Sequence, residues 1–189
     1  GRARTSQEQN LALRFVPEVY LHDVWDVLTN IGLAEPDAHS ITNVVSCPGT
    51  DSCKLGITSS MGLGRALTET ITELNSDDPL VKKMHVKMSG CPNGCGQHHV
   101  ADIGFHGAAM KGANRQQVPA YELFLGGSYE ADDPRFGLRV KARIPSKRVP
   151  EAFRKIVDYY QKNRNDGEEF KAFTARIGTV PFEELLAEF

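Results

Sequence analysis

The chain has 189 residues, 40% of them hydrophobic and 24% charged, with a net charge of −2. That is the profile of one globular domain, or of one domain with an appendage. No apolar run is long enough for a membrane-spanning helix and no signal-peptide pattern is present, which points away from the membrane and toward a cytoplasmic location. Four cysteines in such a chain point to metal or redox chemistry ahead of disulfides. The sequence opens at Gly1 without a methionine, so a processed chain or a piece of a longer one is expected.

The charge is unevenly spread. Arg135 to Arg164 carries ten Lys or Arg against two acids, and Asn165 to Phe189 six acids against two bases. The basic run fits solvated faces or a surface that meets an acidic partner. No nucleic-acid motif or interleaved aromatic pattern accompanies it.

In chain order, LALRFV (11–16) alternates as a strand, and Pro17 opens a helix to about Asn30 with Val24, Val27 or Leu28, and Ile31 on one stripe and Gly32 at its end. One strand and one helix cannot close a core, so this piece must lean on the rest of the chain or on something absent from it. A polar linker follows from Glu35 to Ser40. ITNVVSC reads as a short strand ending at Cys47. Leu63, Leu67, Ile71 and Leu74 form a helical face, with Ser59 and Ser60 as cap candidates and Asn75 and Pro79 as stops. VKKMHVKM alternates Met84, Val86 and Met88 inward against Lys83, His85 and Lys87 outward. VADIGF, AYELFLGG and GLRVKARI are further strands. Pro150 starts a helix with Phe153, Ile156, Val157 and Tyr160 inward, and two short helices are expected near 168–177 and 182–188. The order predicts an α+β fold, a mixed or antiparallel sheet with flanking helices, with both cysteine pairs placed just after strands.

The cysteines are spaced C-x5-C (Cys47, Cys53) and C-x3-C (Cys91, Cys95). Spacing alone leaves a zinc site, disulfides and a four-iron cluster open; the wide, unequal gaps suit a cube whose corners are reached by different thiolates. Pro48-Gly49 and Pro92-Asn93-Gly94 make tight turns whose N–H groups are free to face sulfur.

CPGTDSCKLGITSS (47–60) with MSGCPNGCGQHHVADIGF (88–105) resembles the paired cluster motifs of the sirohaem-dependent sulfite and nitrite reductases. The resemblance extends to YELFLGG and to the region from IPSKRVPEAF to EEFKAF, covering most of residues 40–178. It implies that Cys47, Cys53, Cys91 and Cys95 bind one [4Fe–4S] cluster and that Cys95 also bridges to the sirohaem iron, with Asn93 near both cofactors. The N-terminal piece, with its RTSQEQNL stretch, resembles that family's small ferredoxin-like half-domain. The implied organisation is an incomplete ferredoxin-like βα half-domain at 1–38 and a cluster- and sirohaem-binding domain at 39–189.

The implied activity is six-electron reduction of sulfite to sulfide or of nitrite to ammonia. Electrons come singly from a ferredoxin or flavoprotein, and sulfite ranks first on the flavour of CPGTDSCKLGI. In that family the basic side chains that hold the small anion lie largely in an N-terminal half that this chain lacks. No catalytic residue is therefore assigned here; the chain alone is expected to be inactive, and sirohaem can be absent from it. The alternatives are a cobalamin-pathway oxygenase (precorrin-3B synthase-like) that shares the motif, and a non-catalytic iron–sulfur or zinc module. His98, His99 and His106 are expected to be structural, Lys54 and Lys87 solvated, and Asn93 a turn-former. GLGRAL (62–67) lacks the glycine fingerprint of a phosphate loop. Arg148, Arg154 and Lys155 are the candidates for docking an acidic electron carrier.

Overall fold

The computed structural model describes residues 1–36 and 38–189. The expected linker at 35–40 includes Asp37, which lies outside the described residues. The N-terminal piece is a hairpin and a helix. Strand β1 (Arg2–Thr5) pairs antiparallel with β2 (Leu11–Arg14), and helix α1 (Leu21–Asn30) follows a single 3-10 turn. β2 stops short of the expected residue 16 because Phe15 takes a positive φ of 59°, out of reach of a regular strand. β1 was not expected, since RART carries no apolar alternation. On α1, Val24 and Leu28 are half-buried, but no residue of β1, β2 or α1 is buried.

The remaining strands form one mixed sheet in the order β3 (Val45–Ser46), β4 (Val86–Ser89), β5 (Ile103–Lys111), β6 (Gln117–Leu125) and β7 (Leu138–Pro145). β3/β4 and β4/β5 run parallel, while β5/β6 and β6/β7 run antiparallel with a bulge between Glu122 and Leu123. β3 and β4 are shorter than their sequence patterns. The segment before β4 folds instead into a short helix, α3 (Pro79–Lys82), capped by Asp78, whose carboxylate accepts from Leu80 N at 3.0 Å. Pro79, expected as a stop, begins this helix, because the first turn leaves that N–H unpaired in any case.

Helices α2 (Ser60–Leu74) and α4 (Val149–Asn163) cover one face of the sheet, α5 (Phe170–Ile177) follows, and α6 (Val180–Leu185) packs against both α4 and β7. Ser59 caps α2 by accepting from Gly62 N at 3.3 Å, and Asn75 ends it in a left-handed conformation. The expected inward residues of both helices are in the core, apart from Leu74, which is partly buried against it. Tyr160, Phe170, Phe173 and Phe182 pack into an aromatic cluster with centroids 5.1–6.5 Å apart, and the Tyr160 hydroxyl donates to Glu168 O at 2.7 Å. Among the described residues, no helix is long and apolar enough to cross a membrane.

The basic run is largely paired within the chain. Arg148 meets Glu151, Arg154 meets Glu73, Lys155 meets Glu188, and Arg164 meets Asp78 at 2.6 Å. The three residues expected to dock an acidic carrier therefore already face carboxylates, which reduces the charge they present outward.

Phe153 is fully buried between α4 and the sheet. Phe153→Ala is expected to cost about 3–5 kcal/mol in urea unfolding; a loss below about 1 kcal/mol would contradict this core assignment.

Candidate metal centre

The parallel pairing of β3 with β4 decides where the cysteines go. Val45 and Ser46 lie opposite Lys87 and Met88, so both strands release the chain at the same end, one into Cys47 and the other toward Cys91. Carboxyl ends of adjacent parallel strands are a recurrent place for a binding site, because the loops that leave them are neighbours. Cys47 N still donates to Met88 O at 3.2 Å.

Beyond the strands, the two loops are joined through Gly90. Its carbonyl accepts from Ile57 N at 2.8 Å and Thr58 N at 3.1 Å, and from the Thr58 hydroxyl at 3.3 Å. Its N–H points at Cys47 Sγ, 3.1 Å away. A Cβ at Gly90 would stand 2.5 Å from Gly49 Cα, and Gly49 itself has a φ of +55°. Only glycine lets the backbones come this close. The first loop winds as a 3-10 turn over Gly49–Asp51, with Cys53 N donating to Gly49 O at 2.9 Å. In the second, Gln97 N donates to Gly94 O at 2.8 Å and Gly96 N to Ser89 Oγ at 3.0 Å.

All four cysteines are free thiols. Cys91 is buried, Cys47 half-buried, and Cys53 and Cys95 are exposed. The Ser60 hydroxyl lies 3.4 Å from Cys47 Sγ and donates to Cys47 O at 2.6 Å. Among the described residues, no three His, Cys, Asp or Glu side chains converge on a single-ion site. Asn93 is exposed on the second turn, and Lys54 is exposed as expected.

Under the second loop lies a histidine cluster. His98 is wholly buried, with Nδ1 3.0 Å from Ser89 Oγ, and its ring is 3.9 Å from that of His99, 5.0 Å from His106 and 5.1 Å from Phe124. Burial, reinforced by His99 and His106, pushes the His98 pKa down to about 3. His106 faces Glu122 at 3.5 Å. Burial acts to raise the pKa of Glu122, but Arg143 at 3.0 Å and Arg139 at 2.6 Å hold it below the usual value.

Lys87 departs from its expected place. It is only 1% exposed, not solvated. Its ammonium donates to Glu8 Oε1 at 2.9 Å and to Gln97 Oε1 at 3.1 Å, and sits 4.1 Å from the centre of the Tyr129 ring. Next to Glu8, the Gln9 side chain donates to Ser46 O at 2.7 Å and accepts from Ser46 N at 3.1 Å. Nothing local in SQEQN marks Glu8 as the buried partner of a residue 79 positions away, or Gln9 as the partner of one 37 positions away.

The family model described as the nitrite and sulphite reductase 4Fe-4S domain matches residues 37–188. The chain belongs to this family. It is 30% identical over 183 residues to the sulfite reductase [NADPH] hemoprotein beta-component of Staphylococcus carnosus, covering 95% of this chain and 30% of that protein. It is 28% identical over 182 residues to sulfite reductase [ferredoxin] of Mycobacterium tuberculosis, covering 93% and 32%. The solved structure of the Mycobacterium tuberculosis NirA protein superposes with a TM-score of 0.79 at 26% identity, over 97% of this chain and 33% of that one. Dissimilatory sulfite reductase I, at 12% identity and a TM-score of 0.55, covers 76% of this chain and 51% of its own and shares the fold. The family's mixed α+β architecture is the one described above. The chain spans about a third of the length of the curated relatives it matches.

His98 gives a pH test. The unfolded chain binds its proton near pH 6.5 and the folded chain only near pH 3. Its contribution to stability is therefore complete above pH 6.5 and is lost as pH falls toward 3, at a limiting slope of about 1.4 kcal/mol per pH unit. His98→Gln is expected to flatten that part of the melting-temperature profile; an unchanged acid slope would clear His98 as its cause.

Proposed function

We propose that the chain is the cluster-binding C-terminal portion of a sirohaem- and [4Fe–4S]-dependent reductase that takes sulfite to sulfide or nitrite to ammonia. The observation that carries this reading is the Gly90 N–H aimed at Cys47 Sγ from the loop that bears Cys91 and Cys95. A backbone donor facing sulfur offsets thiolate charge, as a cluster with four cysteine ligands requires. The chemistry of the donor set fits as well: four free thiols on two glycine-tightened loops, released side by side from parallel strands. Cys47, Cys53, Cys91 and Cys95 would hold the cluster. Cys95, exposed on its turn, would be shared with the sirohaem iron, with Asn93 beside it.

Cluster and sirohaem, when bound, supply coupled single-electron stores for a multi-electron reduction. This chain's own residues supply the four sulfur ligands, the Gly90 N–H that faces one of them, and the burial of Cys91 and half-burial of Cys47 that limit water.

In this reading residues 1–38 are a ferredoxin-like half-domain and 39–189 the cofactor domain. Leu11, Phe15, Val19, Trp25, Val27 and Ile31 are all more than half exposed, Val19 at 78%. Large apolar side chains exposed in that number on one short segment call for a cover. A preceding half of the same protein, carrying the basic residues that bind the anion, is the occupant proposed; the threefold greater length of the relatives supports it. The ferredoxin and NADPH named for those relatives support an electron carrier, ferredoxin or flavoprotein, as the further partner. Sulfite ranks ahead of nitrite because both of those relatives are named for it. The setting proposed is the cytoplasm, with no nucleic acid involved.

The test is metal and sulfide analysis of anaerobically reconstituted chain. About four irons and four sulfides per chain are expected, with Cys91→Ser reducing the load to near zero. A single zinc without sulfide would overturn the proposal.

A further inference from the structure

The tip of the β1–β2 hairpin is a tight turn. Ser6 N donates to Asn10 O at 2.8 Å, Asn10 N donates to Ser6 Oγ at 3.1 Å, and Gln9 has a φ of 61°. Two consecutive side chains leave this turn and reach different strands of the main sheet. Gln9 fastens both main-chain groups of Ser46, the residue before Cys47, so the peptides on either side of Ser46 are fixed from outside the sheet. Glu8, itself 7% exposed, reaches the buried ammonium of Lys87, four residues before Cys91. The same ammonium also holds Gln97, two residues after Cys95, in a left-handed conformation with φ 58°. One cation thus ties both ends of the Cys91–Cys95 loop to the hairpin, while the neighbouring amide ties the start of the Cys47–Cys53 loop.

We propose that Glu8 and Gln9 form a positioning clamp that holds the two cysteine loops in register. The proposal rests on the metal-centre reading above for its purpose, though not for its geometry. A charge buried as deeply as Lys87 is retained only with good partners, and removing one partner leaves the other uncompensated. Gln9 is exposed, so its contacts can be removed without opening the core. Glu8, Gln9 and Lys87 are positioning residues, acting on the thiols through Ser46, the β4 strand and Gln97.

The experiment is thiol labelling of the full metal-free chain with iodoacetamide, read residue by residue by peptide mass spectrometry. Exposed Cys53 and Cys95 serve as internal references, while Cys47 and Cys91 report loop opening. Lys87→Met and Gln9→Ala are compared with Phe182→Leu, a core change in α6 remote from the loops, under conditions chosen to equalise the margin to melting. The expected result is labelling of Cys47 and Cys91 faster by about tenfold in both clamp variants than in Phe182→Leu, the size set by losing one or two hydrogen bonds. Equal rates in the clamp variants and the control would overturn the clamp. Because Gln9 is exposed, Gln9→Ala decides the matter even if Lys87→Met does not fold. Iron release to a chelator from reconstituted protein is the second readout, expected to accelerate in the same variants. If no variant, wild type included, takes up iron, the proposed function fails while the labelling comparison still decides the clamp.

Discussion

The backbone of Gly90 is the joint on which the pairing of the two cysteine loops depends. Its carbonyl takes two backbone N–H groups and a hydroxyl from the first loop, and its N–H faces the first cysteine's sulfur. These contacts need the two backbones nearly touching, and the 2.5 Å clearance to Gly49 Cα leaves no room for a side chain. Because the strands that feed the loops are adjacent and parallel, the joint costs no long excursion of the chain. The sheet aligns the loop starts, and Gly90 locks them together.

The layer under the cysteine loops is polar. On the helix-covered face of the sheet, Val86, Met88, Ile103 and Phe105 are ordinary core residues. On the other face, Lys87, Ser89, His98 and His106 are equally buried but are held by specific partners. The bonds that Lys87, Ser89 and His98 Nδ1 do make resist a shift, because it would leave them unpaired, while His98 Nε2 and Glu8 Oε2 are buried without a hydrogen-bond partner among the described residues. The cysteine loops thus rest on the more exacting of the two faces.

The sequence made the helices and long strands legible because their side chains repeat with the period of the element. Leu63, Leu67 and Ile71 on α2 and Phe153, Ile156 and Tyr160 on α4 need no tertiary information to be placed. The cysteine loops were legible for a different reason: glycine, proline and cysteine together restrict what the backbone and the side chains can do. What could not be read depended on distant partners. Alternation along VKKMHVKM placed Lys87 outward, and outward it points, but toward a face closed by the hairpin. RART gave no sign of a strand, since β1 is exposed and is held by pairing with β2 alone. Pro79 was read as the end of one helix when it begins another, a choice set by Asp78, which caps the turn.

One further consequence lies in how the main sheet ends. At one margin, the Gln9 amide occupies both outward-facing main-chain groups of Ser46 on β3. At the other, Glu183 of α6 accepts from Lys141 N on β7 at 3.2 Å. Each border therefore has a side chain standing where a foreign strand would have to bond. Growth of the sheet by addition of another molecule is obstructed at both borders, even though the hairpin and α1 expose a wide greasy surface. That protection belongs to the main sheet: among the described residues, exposed β1 and β2 pair only with each other, so the hairpin is where strand addition would have to begin.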